Sequence, residues 1–164
     1  MAYYTYYDSP IGMLKISGTA SGVSEVKFVE DIPTSELDRE IPEALFPVLD
    51  ELEEYFAKRR KAFSVKLHFR GTEFQQKVWK EMCKVPYGQT TTYLEIALRI
   101  GDRNAVRAVG AACKHNPIAI LGPCHRVIGT DGDLTGYNGG LEHKRDLLML
   151  ENPMVFGKQI SLFK

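Results

Sequence analysis

Three cysteines in 164 residues are too few, and too far apart, for a disulfide framework or a clustered zinc site. Cys83, Cys113 and Cys124 are odd in number, so at least one thiol stays unpaired within the chain, as suits a reducing compartment. No apolar run reaches membrane-spanning length, and the tyrosine-rich start lacks the basic stretch and apolar run of a signal peptide. The expectations are no membrane, no metal or other cofactor, and a cytoplasmic location, or a nuclear one in a eukaryote. Net charge is missing too. The 21 basic side chains balance 21 acidic ones, so the molecule as a whole exerts no long-range attraction on nucleic acid.

The charge that is present is unevenly spread. Residues 30–60 hold ten acidic side chains against four basic, whereas residues 77–126 hold eight basic against three acidic. If the second region presents one face, that face can meet phosphates; solvated helices with mixed surfaces would give the same counts. The length, with 44% hydrophobic and 26% charged residues, suits a soluble globular protein of one domain or two small ones.

The N-terminal part reads as a small antiparallel meander. Its strands are the aromatic run from Tyr3 to Tyr7, an alternating run over 12–17 and a third over 23–29, with Gly18 and Gly22 bracketing a turn. The tyrosines are expected to cover a sheet face, although such rings could also stack on bases. The proline-interrupted stretch 31–42 reads as a connection. Leu45, Val48, Leu49, Leu52, Tyr55 and Phe56 follow at helical spacing, with Pro47 in the first turn and Asp50, Glu51, Glu53 and Glu54 forming a solvated face. Basic residues over 58–61 suit the end of that helix, and a short strand over 65–69 completes the region.

Beyond Gly71 the punctuation tightens. Thr72 and Gln75 have capping-box spacing, which predicts a helix over 73–84 with Cys83 as a small buried residue near its end. A turn over 86–88 precedes a second such pattern, from Thr92 to Glu95, which predicts a helix over 93–100 stopping at Gly101. Asn104 then caps a helix from Ala105 to about His115, kept slim by Ala108, Gly110, Ala111 and Ala112. Two helices across a glycine turn match a helix-turn-helix. The small residues would let a backbone approach DNA while Arg107 offers a long cation, or they would let a neighbouring helix pack closely. A final helix carries Leu141, Lys144, Leu147, Leu148 and Glu151, Pro153 marks its end, and the partly apolar tail from Met154 is expected to pack.

The stretch from Pro123 to Val127 lies between an apolar run over 118–121, read as extended, and a loop rich in Gly and Asp over 129–133. Cys124 thus sits where a buried segment reaches a turn. A cysteine attacks as the thiolate, and nearby positive charge or hydrogen-bond donors lower its pKa. His125 and Arg126 supply nitrogen groups, but neighbours on an extended segment point to opposite faces, so a Cys124–His125 link needs a bridging water or a local turn. The glycine-rich loop over 136–140 could wrap a planar ligand.

With these stretches together, the chain resembles the O6-alkylguanine-DNA alkyltransferases. The resemblance rests on NPIAILGPCHRVI from Asn116 to Ile128, RAVG from Arg107 and TGYNGGL from Thr135 to Leu141. It is detailed over 71–152 and only general over 1–70. It implies an α/β (α+β) fold: a small N-terminal sheet-and-helix domain, 1–70, followed by a mainly helical C-terminal domain, 71–164, with a helix-turn-helix and an active-site cysteine. It also implies the roles. Cys124 accepts the alkyl group, and His125, through a water and with Glu151 behind it, generates or stabilises the thiolate. Tyr93 assists departure of guanine and helps rotate the neighbouring phosphate. Arg107 fills the gap left by the flipped nucleotide, and Thr92, Ala105, Ala108 and Ala111 join it at the DNA. Asn116 orders the hinge into the active-site segment, while Tyr137, Asn138 and Gly139 line the substrate pocket. The implied partner is duplex DNA containing O6-alkylguanine, met from the minor groove by a monomer without a cofactor. Gly122 and Leu94 depart from the family pattern, where a branched apolar residue and a glycine are usual.

The implied chemistry is an in-line attack of a soft thiolate on the carbon attached to O6, after base flipping has exposed it. The product is a thioether that nothing in the sequence would hydrolyse, so each molecule reacts once. Three alternatives differ in outcome. A damage sensor would lack the acceptor cysteine, a cysteine hydrolase would turn over an ester or amide, and a DNA-binding regulator with an inert thiol would form no adduct.

Overall fold

The computed structural model describes residues 2–132, 134, 137 and 140–162, with the backbone alone from 158 onward. The chain divides into two compact units, Met1–Arg70 with Pro117–Ala119, and Gly71–Asn116 with Ile120–Lys164. The architecture is α+β: a sheet with one helix in the first unit and mainly helices in the second.

In the first unit, β1 (Tyr3–Ser9), β2 (Gly12–Thr19) and β3 (Gly22–Val29) form the expected antiparallel meander. Pairing Thr5 with Ile16 and Ile16 with Val26 sets one face, on which Thr5, Leu14, Ile16 and Val26 are buried. Burying each large aliphatic side chain contributes about 1.5–3 kcal/mol. Helix α1 (Phe46–Phe56) follows a 3-10 turn, starts with Pro47 in its first turn and buries Val48, Leu52 and Tyr55. The tyrosines do cover sheet faces. The Tyr4 hydroxyl donates to Glu36 at 2.9 Å, the Arg39 guanidinium lies 4.0 Å from its ring centre, and Tyr7 meets the Phe56 ring.

Three expectations change here. Glu51 leaves the solvated face of α1. It is buried and accepts from the Ser64 N–H, the Ser64 hydroxyl and the Val65 N–H, tying the helix to the chain 13 residues on. Burial pushes its carboxyl up, but those donors and Arg60 outweigh this and hold it below its ordinary value. The expected strand over 65–69 shrinks to a bridge at Leu67, with Val23 and His68 donating across it. Gly22 makes that approach possible, since its φ is +125° and a Cβ would lie 2.5 Å from the Lys66 carbonyl oxygen. The run over 118–121 is extended only where Ile118 bridges Val26; the chain then turns at Ile120, whose φ is +71°.

In the second unit, α2 (Glu73–Met82) begins with the full capping box of Thr72 and Gln75. Cys83 ends it as an exposed residue, not a buried one, because it falls past the last turn. The Trp79 indole donates to the Ala112 carbonyl at 2.9 Å, which fixes α2 against α4 (Val106–Lys114). The short helix α3 (Tyr93–Arg99) starts at Thr92, whose hydroxyl accepts from the Glu95 N–H, and the chain turns at Gly101 with φ +87°. A 3-10 turn, Arg103–Ala105, then leads into α4. Its cap is Asp102, which accepts from the Asn104 N–H, so Asn104 is the capped residue and not the cap.

Two short strands, β4 (Thr91–Thr92) and β5 (Val127–Ile128), pair in parallel. Thr92 precedes Tyr93 and Val127 follows Arg126, so this pairing brings the start of α3 beside the cysteine segment. Helix α5 (Leu141–Glu151) ends where expected, but Pro153 also opens α6 (Pro153–Leu162). Asn152 accepts from the Val155 N–H at 3.3 Å and Pro153 occupies the first turn, where its missing N–H costs nothing. The tail packs in part. Phe156 is buried while Met154 and Val155 are exposed.

Candidate active site

The cysteine sits on a turn built by its own neighbours. Pro123, with φ −81° and ψ 59°, is the centre of an inverse γ-turn in which the Cys124 N–H donates to the Gly122 carbonyl at 2.8 Å. A 3-10 turn, Cys124–Arg126, follows at once, closed by the Arg126 N–H on the Pro123 carbonyl. The segment is therefore coiled where extended backbone was expected, and the alternation of adjacent side chains does not apply. Upstream, Ile120 is a β-branched residue in the left-handed region, a conformation costing about 1–3 kcal/mol. Complete burial of its side chain holds it there.

Cys124 is 3% exposed. The Asn116 amide donates to Sγ at 3.1 Å and to the Gly122 carbonyl at 2.9 Å, so one side chain fixes both the thiol and the turn, including the position where Gly122 departs from the family pattern. Burial pushes the thiol pKa up to about 11. The Asn116 amide, the Lys144 charge and the backbone N–H groups of Cys124 and His125 act the other way without reversing it. The resting group at neutral pH is therefore a thiol.

His125 makes no hydrogen bond to Cys124 among the described residues. Its Nε2 lies 2.7 Å from Glu151 Oε2, and its Nδ1 is buried without a partner among the described residues. Burial lowers the imidazole pKa, and Glu151 only partly counters this. Glu151 is held far below the ordinary carboxylate range: burial opposes this, but His125 and Arg126 together outweigh it. It also accepts from the Gly88 N–H at 3.2 Å, while the Asn152 amide donates to the Gly88 carbonyl, so the turn over 86–88 rests on the end of α5.

Tyr93 is 9% exposed, and Lys144 donates to its hydroxyl at 3.3 Å and to the Val127 carbonyl at 2.6 Å. Lys144 was legible only as a helix position, yet it is completely buried and its charge reaches Cys124. A signal was present. Lys144, Leu147, Leu148 and Glu151 fall at i, i+3, i+4 and i+7, so two charged residues occupy the core stripe of α5. Tyr137 is buried, its hydroxyl has no partner among the described residues, and burial first and then the nearby Cys124 and Glu151 keep it protonated. Asn138 and Gly139 lie outside the described residues. Cys113 is 1% exposed and burial raises its pKa to about 12, which suits inert packing.

On the helix-turn-helix, Arg103, Arg107 and Lys114 are exposed and form no ion pair among the described residues, whereas Arg99 is paired with Glu95. Ala108 and Ala111 are exposed too, and with Thr72, Phe74, Gln75, Ala112 and His115 they line a groove of about 320 Å³. Of the other expected contact residues, Ala105 is buried at the end of its 3-10 turn, and the half-buried Thr92 accepts from the Glu95 N–H while keeping its own O–H to donate. Leu94 is half-buried.

Fold and site together define a two-part protein whose helical unit carries both a helix-turn-helix and a buried cysteine beside a His–Glu–Arg cluster. Two family models account for nearly the whole chain: 6-O-methylguanine DNA methyltransferase, ribonuclease-like domain, over residues 2–69, and 6-O-methylguanine DNA methyltransferase, DNA binding domain, over residues 73–153. The methylated-DNA–protein-cysteine methyltransferase of Mycobacterium tuberculosis is 48% identical over 153 residues, which are 92% of this chain and 93% of the relative. That of Methanosarcina acetivorans is 47% identical over 91% of this chain and 97% of its own length. The crystal structure of the M. tuberculosis O6-methylguanine methyltransferase matches all of both chains with a TM-score of 0.83 at 44% identity. Its complex with DNA matches 92% of each chain with a TM-score of 0.82. The chain belongs to the 6-O-methylguanine DNA methyltransferase family.

Proposed function

We propose that this protein repairs DNA directly, by moving the alkyl group of O6-alkylguanine onto Cys124 and restoring guanine. The observation that carries the reading is a buried, amide-bound thiol next in sequence to a histidine whose Nδ1 has no partner among the described residues, in the unit that bears exposed cations on a slim helix. Because the thiol rests protonated, its proton leaves toward the His125 base as the substrate reacts, and Glu151 balances the imidazolium. The Sγ electron pair forms the new S–C bond, and the C–O6 pair departs with guanine. The proton lost by the thiol is matched by the one that guanine gains.

Tyr93, with Lys144 donating to its hydroxyl, can direct its own O–H toward the departing base and offset the charge developing there. Arg107, from an α4 face lined with Ala108 and Ala111, would enter the duplex where the damaged nucleotide rotates out. Small side chains suit the shallow approach that minor-groove contact requires. The acting unit is a monomer. The thioether is stable, and each molecule reacts once.

The test uses equimolar protein and a duplex containing one O6-methylguanine, followed by intact and peptide mass. One added methyl on the Cys124 peptide, restored guanine and no second turnover are expected. Full transfer by Cys124→Ser would refute the assignment of the acceptor. Tight binding without an adduct by folded, reduced protein would replace the reading with that of a damage sensor.

A further inference from the structure

Glu151 carries an unusual load. Arg126 grips it with two parallel bonds, Nε to Oε1 at 2.8 Å and Nη2 to Oε2 at 2.9 Å, and the same Oε2 meets His125 Nε2. The third guanidinium nitrogen, Nη1, donates to the Val85 carbonyl at 2.8 Å, so the fork cannot swing away. Arg126 and Glu151 are 6% and 7% exposed.

The consequence concerns charge. A buried carboxylate facing only an imidazole would hold it as imidazolium, because an opposite charge at contact favours the ionised form. An imidazolium has a proton on both nitrogens and cannot act as a base. Burial is the largest influence against that charge, and a guanidinium bound bidentately to the same carboxylate offsets part of its pull. We infer that Arg126 is a positioning residue for alkyl transfer: by holding the Glu151 carboxylate in a fork, it keeps His125 neutral, with its proton on Nε2 and its lone pair on Nδ1.

The remaining ionisable neighbours act in the same sense or weakly. Lys144, on α5, adds positive charge and further disfavours an imidazolium. Cys124 and Tyr137 are protonated at neutral pH, and the Tyr87 ring lies 5.9 Å from the Arg126 guanidinium. The ionised Glu151 can only accept, so a neutral His125 must donate through Nε2. That leaves Nδ1, buried and without a partner among the described residues, as the basic atom.

The link to Cys124 rests on the alkyl-transfer reading, whereas the tautomer does not, and the two are measured separately. Nitrogen-15 spectra of histidine-labelled, unreacted wild-type protein are expected to show His125 neutral at neutral pH, protonated on Nε2 and bare on Nδ1. In Arg126→Gln, the His125 pKa and the acid limb of benzyl transfer from O6-benzylguanine both move up by roughly one to three pH units. Arg126→Lys, which keeps the charge but not the fork, falls between. An imidazolium or an Nδ1–H tautomer in the wild type overturns the inference, as does a folded Arg126→Gln whose acid limb stays in place. If Arg126→Gln does not fold, the wild-type spectra and Arg126→Lys decide. Wild-type protein that shows the expected tautomer but accepts no benzyl group refutes the alkyl-transfer reading and leaves the charge assignment standing.

Discussion

Asn116 offers the sharpest single perturbation of the nucleophile. Burial raises the Cys124 pKa from 9.0 to about 11, a difference of about 3 kcal/mol against the thiolate. The amide at 3.1 Å is the largest influence in the opposite direction, and a hydrogen bond to a charged group contributes about 1.5–3 kcal/mol. Asn116→Ala should therefore lower the accessible thiolate by about 10- to 100-fold, and benzyl transfer from O6-benzylguanine should slow by the same factor. Asn116→Asp tests the sign. It preserves shape but puts a carboxylate beside the sulfur, so it should react more slowly than the alanine variant. Both variants also lose the bond to the Gly122 carbonyl, so stability is measured alongside and rates are taken on folded protein. A wild-type rate in Asn116→Ala, or Asn116→Asp reacting faster than Asn116→Ala, would refute the account of how the thiolate is stabilised.

Other outcomes follow from the same geometry. Arg107→Ala should slow repair of duplex DNA more than transfer from free O6-benzylguanine; equal losses on both substrates would remove the flipping role. Lys144→Met trades a buried charge and its bond to Val127 for an apolar chain of similar length. Its stability in denaturant should change by no more than about 2 kcal/mol, while transfer slows by about 10-fold or more as Tyr93 loses its donor. Glu51→Leu should destabilise the N-terminal unit by about 2 kcal/mol or more at neutral pH, by leaving the Ser64 and Val65 N–H groups unpaired. The Glu51 carboxyl is held below its unfolded value near 4.5, so this contribution is complete above pH 4.5 and fades as pH falls through the lower folded value. Denaturant titrations of wild type and variant should converge as the pH is lowered.

What could be read from the sequence was what neighbouring residues decide among themselves. The meander follows from alternation and glycine placement, α2 from a capping box complete within four residues, and α1 from its 3.6-residue stripe. What escaped depends on partners distant in the chain. Glu51 reads as a surface carboxylate until Ser64 and Val65 arrive from 13 and 14 residues away. Lys144 reads only as a helix position until Tyr93 and Val127 close over it. Pro153 reads as a stop because the same residue ends one helix and opens another, and only the Asn152 cap distinguishes the two. The charge counts over 77–126 were ambiguous for a further reason. Counting cannot separate Arg99, which Glu95 holds, from Arg103, Arg107 and Lys114, which are exposed and unpaired among the described residues.

The Cys124 turn shows why the site could be recognised from its residues but not built from them. Its nucleophile, base and carboxylate are all in the sequence, but their relation depends on an inverse γ-turn at Pro123, a left-handed Ile120 and an amide from Asn116. These features work against the simplest picture of an activated cysteine. A thiolate exposed on a surface would react with any electrophile and would be spent before meeting damaged DNA. Burial keeps Cys124 protonated and nearly out of solvent, so on the proposed mechanism reactivity depends on a neutral base nearby. For a residue that reacts only once, a thiolate disfavoured by about 3 kcal/mol restricts attack to a substrate held long enough for the proton to leave. On this reading the high pKa is part of the selectivity.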